Sequence, residues 1–204
     1  MLVSSEKKFL FYHVYKVAGT SIREALRPYC SFKQIAFQNF FYGLSTMGVR
    51  PAISPLYQFH PKLSDVRNSL GDLFYEYYRF TFVRHPLDWQ KSLYFFMKKN
   101  PRHHQHKLIS TMSFDEYLNW RVDNECNLMS DLISDSTGEI LVDDIYKFEV
   151  IDREFESLSK KIGLCTKLPH KNVAGMGRSV DLKESTYLKF REAFSQDFNS
   201  FGYE

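Results

Sequence analysis

The stretch Phe9-Leu10-Phe11-Tyr12-His13-Val14-Tyr15 constrains this chain more than any other part of it. It is apolar on both faces. A strand with one wet face alternates polar and apolar residues, whereas a central strand of a parallel sheet, covered on both sides, does not. A turn follows at Lys16 to Gly19. Beyond it Ile22, Ala25, Leu26 and Tyr29 recur at helical spacing, until Pro28 and Cys30 close the run. Strand, turn and helix in succession are the building unit of an α/β sheet.

The length of 204 residues fits one domain, residues 1–204, with one sizeable core. Hydrophobic residues at 44% and charged residues at 25% exclude a disordered or fibrous chain. Lys and Arg number 27 against 24 Asp and Glu, a net +3. That excess is too weak to mark a nucleic-acid binder, but it permits an anionic substrate. The 19 Phe and 13 Tyr point to an aromatic-rich core. The three cysteines, Cys30, Cys126 and Cys165, are widely spaced and form no CxxC pair. This argues against a disulfide framework or zinc ribbon and for a reducing compartment. No apolar run reaches the roughly 18–20 residues of a membrane span, and Met1 to Lys8 lacks the apolar segment of a signal peptide. A soluble protein is expected, with room for peripheral contact with a membrane.

Further along, residues 31–59 read as a loop marked by Gly43, Gly48, Pro51 and Pro55, with short strands at Gln34–Phe37 and Tyr57–Phe59. Leu63 to Tyr78 reads as a helix. Arg79 to Arg84 reads as a second clear strand, and Pro86 sits where the first turn of the next helix tolerates a missing N–H. Residues 98–112 form a basic, His-rich loop. Ser113-Phe114-Asp115-Glu116 has the form of a capping box. Ile145 to Glu149 suggests a short strand. Asp152 suggests a helix cap with Phe155, Leu158 and Ile162 inward, and Asp181 with Glu184 suggests another, followed by Tyr187, Arg191, Phe194 and Phe198 on one face. Strands alternating with helices predict an α/β fold, a three-layer sandwich with a central parallel sheet flanked by helices.

Lys16-Val17-Ala18-Gly19-Thr20-Ser21 lies between the buried strand and its helix. Helix N-termini expose unpaired N–H groups and the positive end of the dipole, and so bind anions. Gly19 lets backbone approach a phosphate, Thr20 and Ser21 add hydroxyls, and Lys16 adds a mobile charge. The same six residues also fit a Thr or Ser helix cap beside a surface lysine. The lysine precedes the glycine, so the Walker pattern GxxxxGK[ST] is absent. A second pair stands at the next strand end. Arg84 closes the strand, and Ser92 lies about two helical turns beyond His85, on the face where the helix begins. Together they could grip one phosphate.

These segments resemble a known family. Phe11 through Ser21 resembles the 5′-phosphosulfate loop of the PAPS-dependent sulfotransferases, and Phe80 through Asp88 with Ser92 and Tyr94 resembles their 3′-phosphate motif. The similarity is closest to the carbohydrate-type branch and its small bacterial relatives. His60-Pro61-Lys62-Leu63-Ser64-Asp65-Val66-Arg67 is similar to the family segment that carries a histidine base. Gly138 to Glu149, Leu168 to Asn172 and Asp197 to Tyr203 also fit the family's order. The chain departs from the pattern at Tyr15, where proline is usual, at His85, where asparagine is usual, and at Trp89, where arginine is common.

The resemblance implies a P-loop-like sulfotransferase fold. It implies transfer of a sulfuryl group from PAPS to a hydroxyl or amine of a glycan, glycolipid or small metabolite, leaving PAP and needing no metal. Lys16, Ala18, Gly19, Thr20 and Ser21 would hold the phosphosulfate, Arg84 and Ser92 the 3′-phosphate, and Lys171 and Arg178 would close over the nucleotide. Lys16 would also stabilise charge on the departing phosphate oxygen. His60 would be the base, since an ordinary imidazole titrates near pH 6.5. His13 reads as packed, His170 as a weaker competitor for the base, and Glu149 as structural. Residues 38–59 and 98–112 would shape the acceptor pocket. The run Lys98, Lys99, Arg102, His103, His104, His106, Lys107 reads first as a solvated loop, next as a contact for an acidic glycan, and last as a zinc site. Other readings are a small-molecule kinase and a nucleotide-binding relative that has lost turnover. The small bacterial branch implies a cytoplasmic enzyme.

Overall fold

The structure is a computed structural model that describes every residue except Gly48, Arg50, Pro51, Phe59 and residues 170–178, and only the backbone of Ser45 and Thr46. In chain order the elements are β1 (Leu2–Ser4), β2 (Phe9–Tyr12), α1 (Gly19–Leu26), α2 (Phe32–Thr46), α3 (Leu63–Leu70), β3 (Tyr78–Val83) and α4 (Pro86–Lys99). There follow α5 (His106–Ile109), α6 (Phe114–Asn124), α7 (Met129–Ile133), β4 (Asp144–Lys147), α8 (Ile151–Ile162), α9 (Glu184–Ala193) and α10 (Ser195–Phe201). They fall into two compact units, Met1–Val83 with Asp131–Lys171 and Arg84–Ser130 with Asn172–Glu204.

The first unit holds the sheet, in the order β1-β2-β3-β4. The α/β class is as expected, and the sheet is mixed rather than wholly parallel. β2, β3 and β4 run parallel, with Tyr12 beside Thr81 and Val83 beside Lys147, and β1 adds an antiparallel edge with Leu2 beside Phe11. β2 is buried along its whole length, which is why it carries no polar alternation. Part of the aromatic surplus is spent here. Phe11 stacks on Phe80 at 5.5 Å between ring centroids, and Phe82 lies against Tyr146 at 5.2 Å. Such offset and tilted pairs add to the area they bury.

Several local expectations change. β2 ends at Tyr12 rather than Tyr15, because pairing with β3 stops at Thr81 and Lys16 then turns into the left-handed backbone region (φ 64°). Residues 32–46 are helical, not a loop with a strand at Gln34–Phe37. Its apolar residues are spread around the helix instead of lying on one face, so neither a two-residue nor a 3.6-residue period stands out. Tyr57 ends a 3-10 turn, Pro55–Tyr57, where a strand was expected, and Phe59 lies outside the described residues. The helix expected over 63–78 stops at Leu70, where Gly71 takes a positive φ of 57°, and Tyr78 already belongs to β3. Asp152 lies inside α8; Val150 is the cap residue and no side chain caps the helix.

The second unit is helical. Pro86 opens α4, and His85, its cap residue, sets its ring edge-on to Phe198 and Tyr203. Trp89, a departure from the family pattern, is wholly buried and serves packing. Ser113 and Glu116 form the expected capping box at α6: each side chain accepts the other's backbone N–H, at 3.2 and 2.7 Å. α6 is tied to the start of α9 by Asn119, which donates to Thr186 Oγ1 at 2.9 Å, and by Asp115, which accepts the Lys183 N–H at 2.9 Å. Lys183, not Asp181, is the cap residue of α9. Phe190, Phe194 and Phe198 fill the space behind. Asp197 is fully buried and accepts the N–H of Met129, the N–H of Ser130 and the Ser130 hydroxyl.

Candidate active site

The loop between β2 and α1 carries two residues in the left-handed backbone region. Lys16 has φ 64° and Ala18 has φ 55°. Left-handed residues in a strand-to-helix loop turn successive N–H groups toward one side, the backbone pattern of anion-binding nests. Ala18 is also the cap residue of α1, no side chain caps the helix, and no acid stands in its first turn. The Thr or Ser cap that the sequence also allowed is therefore not formed. Thr20 is exposed and Ser21 buried, both in the first turn.

Gly19 is the first residue of α1 and has no positive φ. Its lack of a side chain has another reason. A Cβ at this position would lie 1.4 Å from Nε2 of His13, so the His13 imidazole fills the place of the missing side chain. His13 is half-buried, with its ring against Phe11 at 6.0 Å and His60 at 4.8 Å. Burial holds its pKa well below the ordinary histidine range, so the ring is neutral near pH 7.

His60 is fixed from the same strand end. Its Nδ1 lies 2.9 Å from the His13 carbonyl oxygen. A carbonyl only accepts, so Nδ1 carries the proton and Nε2 keeps its lone pair. Tyr12 donates its hydroxyl to the Pro61 carbonyl at 2.6 Å and anchors the next residue of the His60 segment. Tyr15, the family departure before the loop lysine, sets its ring edge-on to His60 at 5.7 Å. His60 presents an exposed surface, yet the protein crowded around its ring pushes its pKa down to about 4 against the stabilising bond to His13. This corrects the expectation of an unperturbed imidazole: His60 is neutral well below pH 6.5. Tyr12 and His13 were not singled out in the sequence as positioning groups. The one signal was a hydroxyl and an imidazole closing an otherwise apolar run.

In the first unit, then, β2 brings Lys16, Ala18, Gly19, Thr20, Ser21 and, through Tyr12 and His13, His60 to one strand end. Arg84 and Ser92 belong to the second unit, where both are half-buried; Arg84 follows β3 directly and Ser92 lies within α4. His170, Lys171, Arg178, Gly175 and Gly177 lie outside the described residues. The His-rich run is partly ordered by local bonds: His103 and His104 stack at 4.4 Å and His106 Nδ1 meets the Met97 carbonyl at 2.9 Å. Among the described residues no group of three His, Cys, Asp or Glu is placed to hold a metal ion, and no helix is long and apolar enough to cross a membrane.

A mixed sheet with three parallel strands, a glycine-bearing loop between strand and helix, and a histidine bonded to the strand end define an α/β protein with its candidate residues gathered at the end of β2. The comparison by sequence is more specific. The model of the sulfotransferase family matches residues 1–204, and the chain belongs to that family, whose common reaction is sulfuryl transfer. No curated protein and no solved structure matches the chain.

Proposed function

We propose that this protein moves a sulfuryl group from PAPS to a hydroxyl or amine of an acceptor, a glycan, glycolipid or small metabolite, with His60 as the base. The observation that carries this reading is the bond from His60 Nδ1–H to the His13 carbonyl, which leaves Nε2 as the lone-pair nitrogen. In the reaction the acceptor oxygen or nitrogen forms a bond to sulfur as the bond from sulfur to the phosphate oxygen breaks. The acceptor proton passes to Nε2 of His60. The departing charge stays on the phosphate of PAP, where Lys16 offsets it. The physics is that of phosphoryl transfer, position and charge rather than covalent catalysis.

The loop residues fit such a donor. The backbone of Lys16 to Gly19 and the first turn of α1, with Thr20 and Ser21, supply donors for the phosphosulfate, and no side chain caps that turn. Arg84 and Ser92 are assigned to the 3′-phosphate by their place in the motif. Calorimetric titration with PAP tests the reading. Saturable binding of PAP, with ATP much weaker, is expected. No heat with PAP, or equal affinity for ATP, overturns it.

A further inference from the structure

α2 is built inside out. Its buried side chains include two glutamines. Gln38 is fully buried, donating to the carbonyls of Met1 and Leu56 at 2.9 and 3.1 Å and accepting from Arg23 at 3.0 Å. Gln34 is buried and accepts the Val3 N–H at 3.2 Å. Its outward residues include large apolar side chains: Phe32 is 83% exposed and Phe40 60%, and Met47 just beyond the helix is 79% exposed. The helix cannot roll to bury these rings, because that would strip Gln38 of its partners. Large apolar side chains grouped on one face of a soluble fold mark a contact surface.

The sequence around this helix is one-sided in charge. From Ala25 to Ser64 the sequence has no Asp or Glu, although acids make up 24 of the 204 residues, and it carries Arg27, Lys33, Arg50 and Lys62. Lys33 lies over the Phe37 ring at 5.9 Å. Glu24, Arg27 and Phe32 line one open cavity of about 260 Å³. A second copy of this chain is a poor cover for such a face. A two-fold contact sets the same patch against itself, and here that brings Arg27 and Lys33 of both copies together, with Glu24 the acid that lines the cavity beside Arg27. An anionic lipid surface supplies both halves of the complement, an apolar layer for the rings and phosphate or carboxylate headgroups for the cations.

We infer that the outward face of α2, with Phe32, Phe40 and Met47 as its apolar contacts and Arg27 and Lys33 beside them, seats the protein on the surface of an anionic membrane. A helix of 15 residues is about 22 Å long, too short to span, and lies along the interface. The inference is independent of PAPS and of His60.

Co-sedimentation of the full chain with lipid vesicles tests it. The protein should pellet with vesicles of phosphatidylcholine and phosphatidylserine at three to one, and stay in the supernatant with phosphatidylcholine alone. The double variant F32D with F40D should lose about tenfold or more of the bound fraction, since both rings are replaced by charge. Lys33→Glu, which reverses an exposed charge beside the Phe37 ring, should weaken binding, as should raising salt from about 0.1 M to about 1 M. A thermal melt matching the wild type shows that each variant is folded. No pelleting with the anionic vesicles overturns the inference. So does pelleting undiminished in F32D with F40D, and so does a dimer that the double variant abolishes in the absence of vesicle binding.

Discussion

The imidazole of His13 stands where a side chain at Gly19 would have to be, 1.4 Å from the position of a Cβ there. The strand end and the start of α1 are thus locked by a ring filling a glycine's vacancy. Gly19→Ala forces His13 out of a packed site, and overpacking of this kind costs about 1–3 kcal/mol. Urea unfolding should show that loss, and the double variant Gly19→Ala with His13→Ala should recover part of it. A Gly19→Ala protein as stable as the wild type would show that the ring is not held there.

His60→Ala should lower the turnover of labelled PAPS by about 10²–10⁴-fold, the usual contribution of a positioned base. PAP binding by calorimetry should stay unchanged, because His60 acts on the acceptor. Lys16→Ala should lower turnover by about 10²–10³-fold through lost charge stabilisation. Unaltered transfer in both variants would remove both roles.

Stability should fall on mild acidification. In the unfolded chain histidine titrates near 6.5, while in the folded protein His60 is pushed down to about 4 and His13 lies well below its ordinary value. Above about pH 6.5 both states are neutral and the contribution is fully present. Below it the unfolded chain gains protons that the folded chain does not, so stability declines from about pH 6.5 towards pH 4. Asp115, Asp135, Asp143 and Asp144 are also lowered, from an ordinary 3.8, and their contribution is lost only at lower pH. Thermal melts between pH 7.5 and 4.5 should show the slope, and the double variant His13→Asn with His60→Asn should flatten it.

Tyr12→Phe removes only the hydroxyl that holds the Pro61 carbonyl. A single buried hydrogen bond of this kind contributes about 1 kcal/mol, with a further cost where a carbonyl is left unsatisfied. Its second readout is kinetic: kcat should fall while PAP affinity is retained, because the His60 segment loses an anchor and the loop does not.

Asp197→Ala leaves three buried donors, at Met129 and Ser130, without their acceptor. The second unit should lose about 3 kcal/mol. Asp197→Asn, which keeps one acceptor oxygen, should lose less. Chemical unfolding followed by Trp89 and Trp120 fluorescence measures both, since both tryptophans lie in this unit.

Where the signal is local, the chain alone set the structure. An apolar run buried on both faces became β2, proline at the first helical turn opened α4, and the Ser113–Glu116 pair closed its capping box. Each needs only a few neighbouring residues to act. α2 was not legible, because its inward side chains are glutamines whose partners, Met1, Val3, Arg23 and Leu56, come from elsewhere in the chain. The candidate site divides in the same way. Lys16 to Ser21 could be picked out by residue type and order, and the His60 segment by its resemblance to the family. That Gly19 is glycine to admit a ring, that His60 carries its proton on Nδ1, and that crowding lowers its pKa were decided by tertiary structure. Those properties depend on which atoms from distant segments meet, and His13 meets both Gly19 and His60 only once the chain has folded.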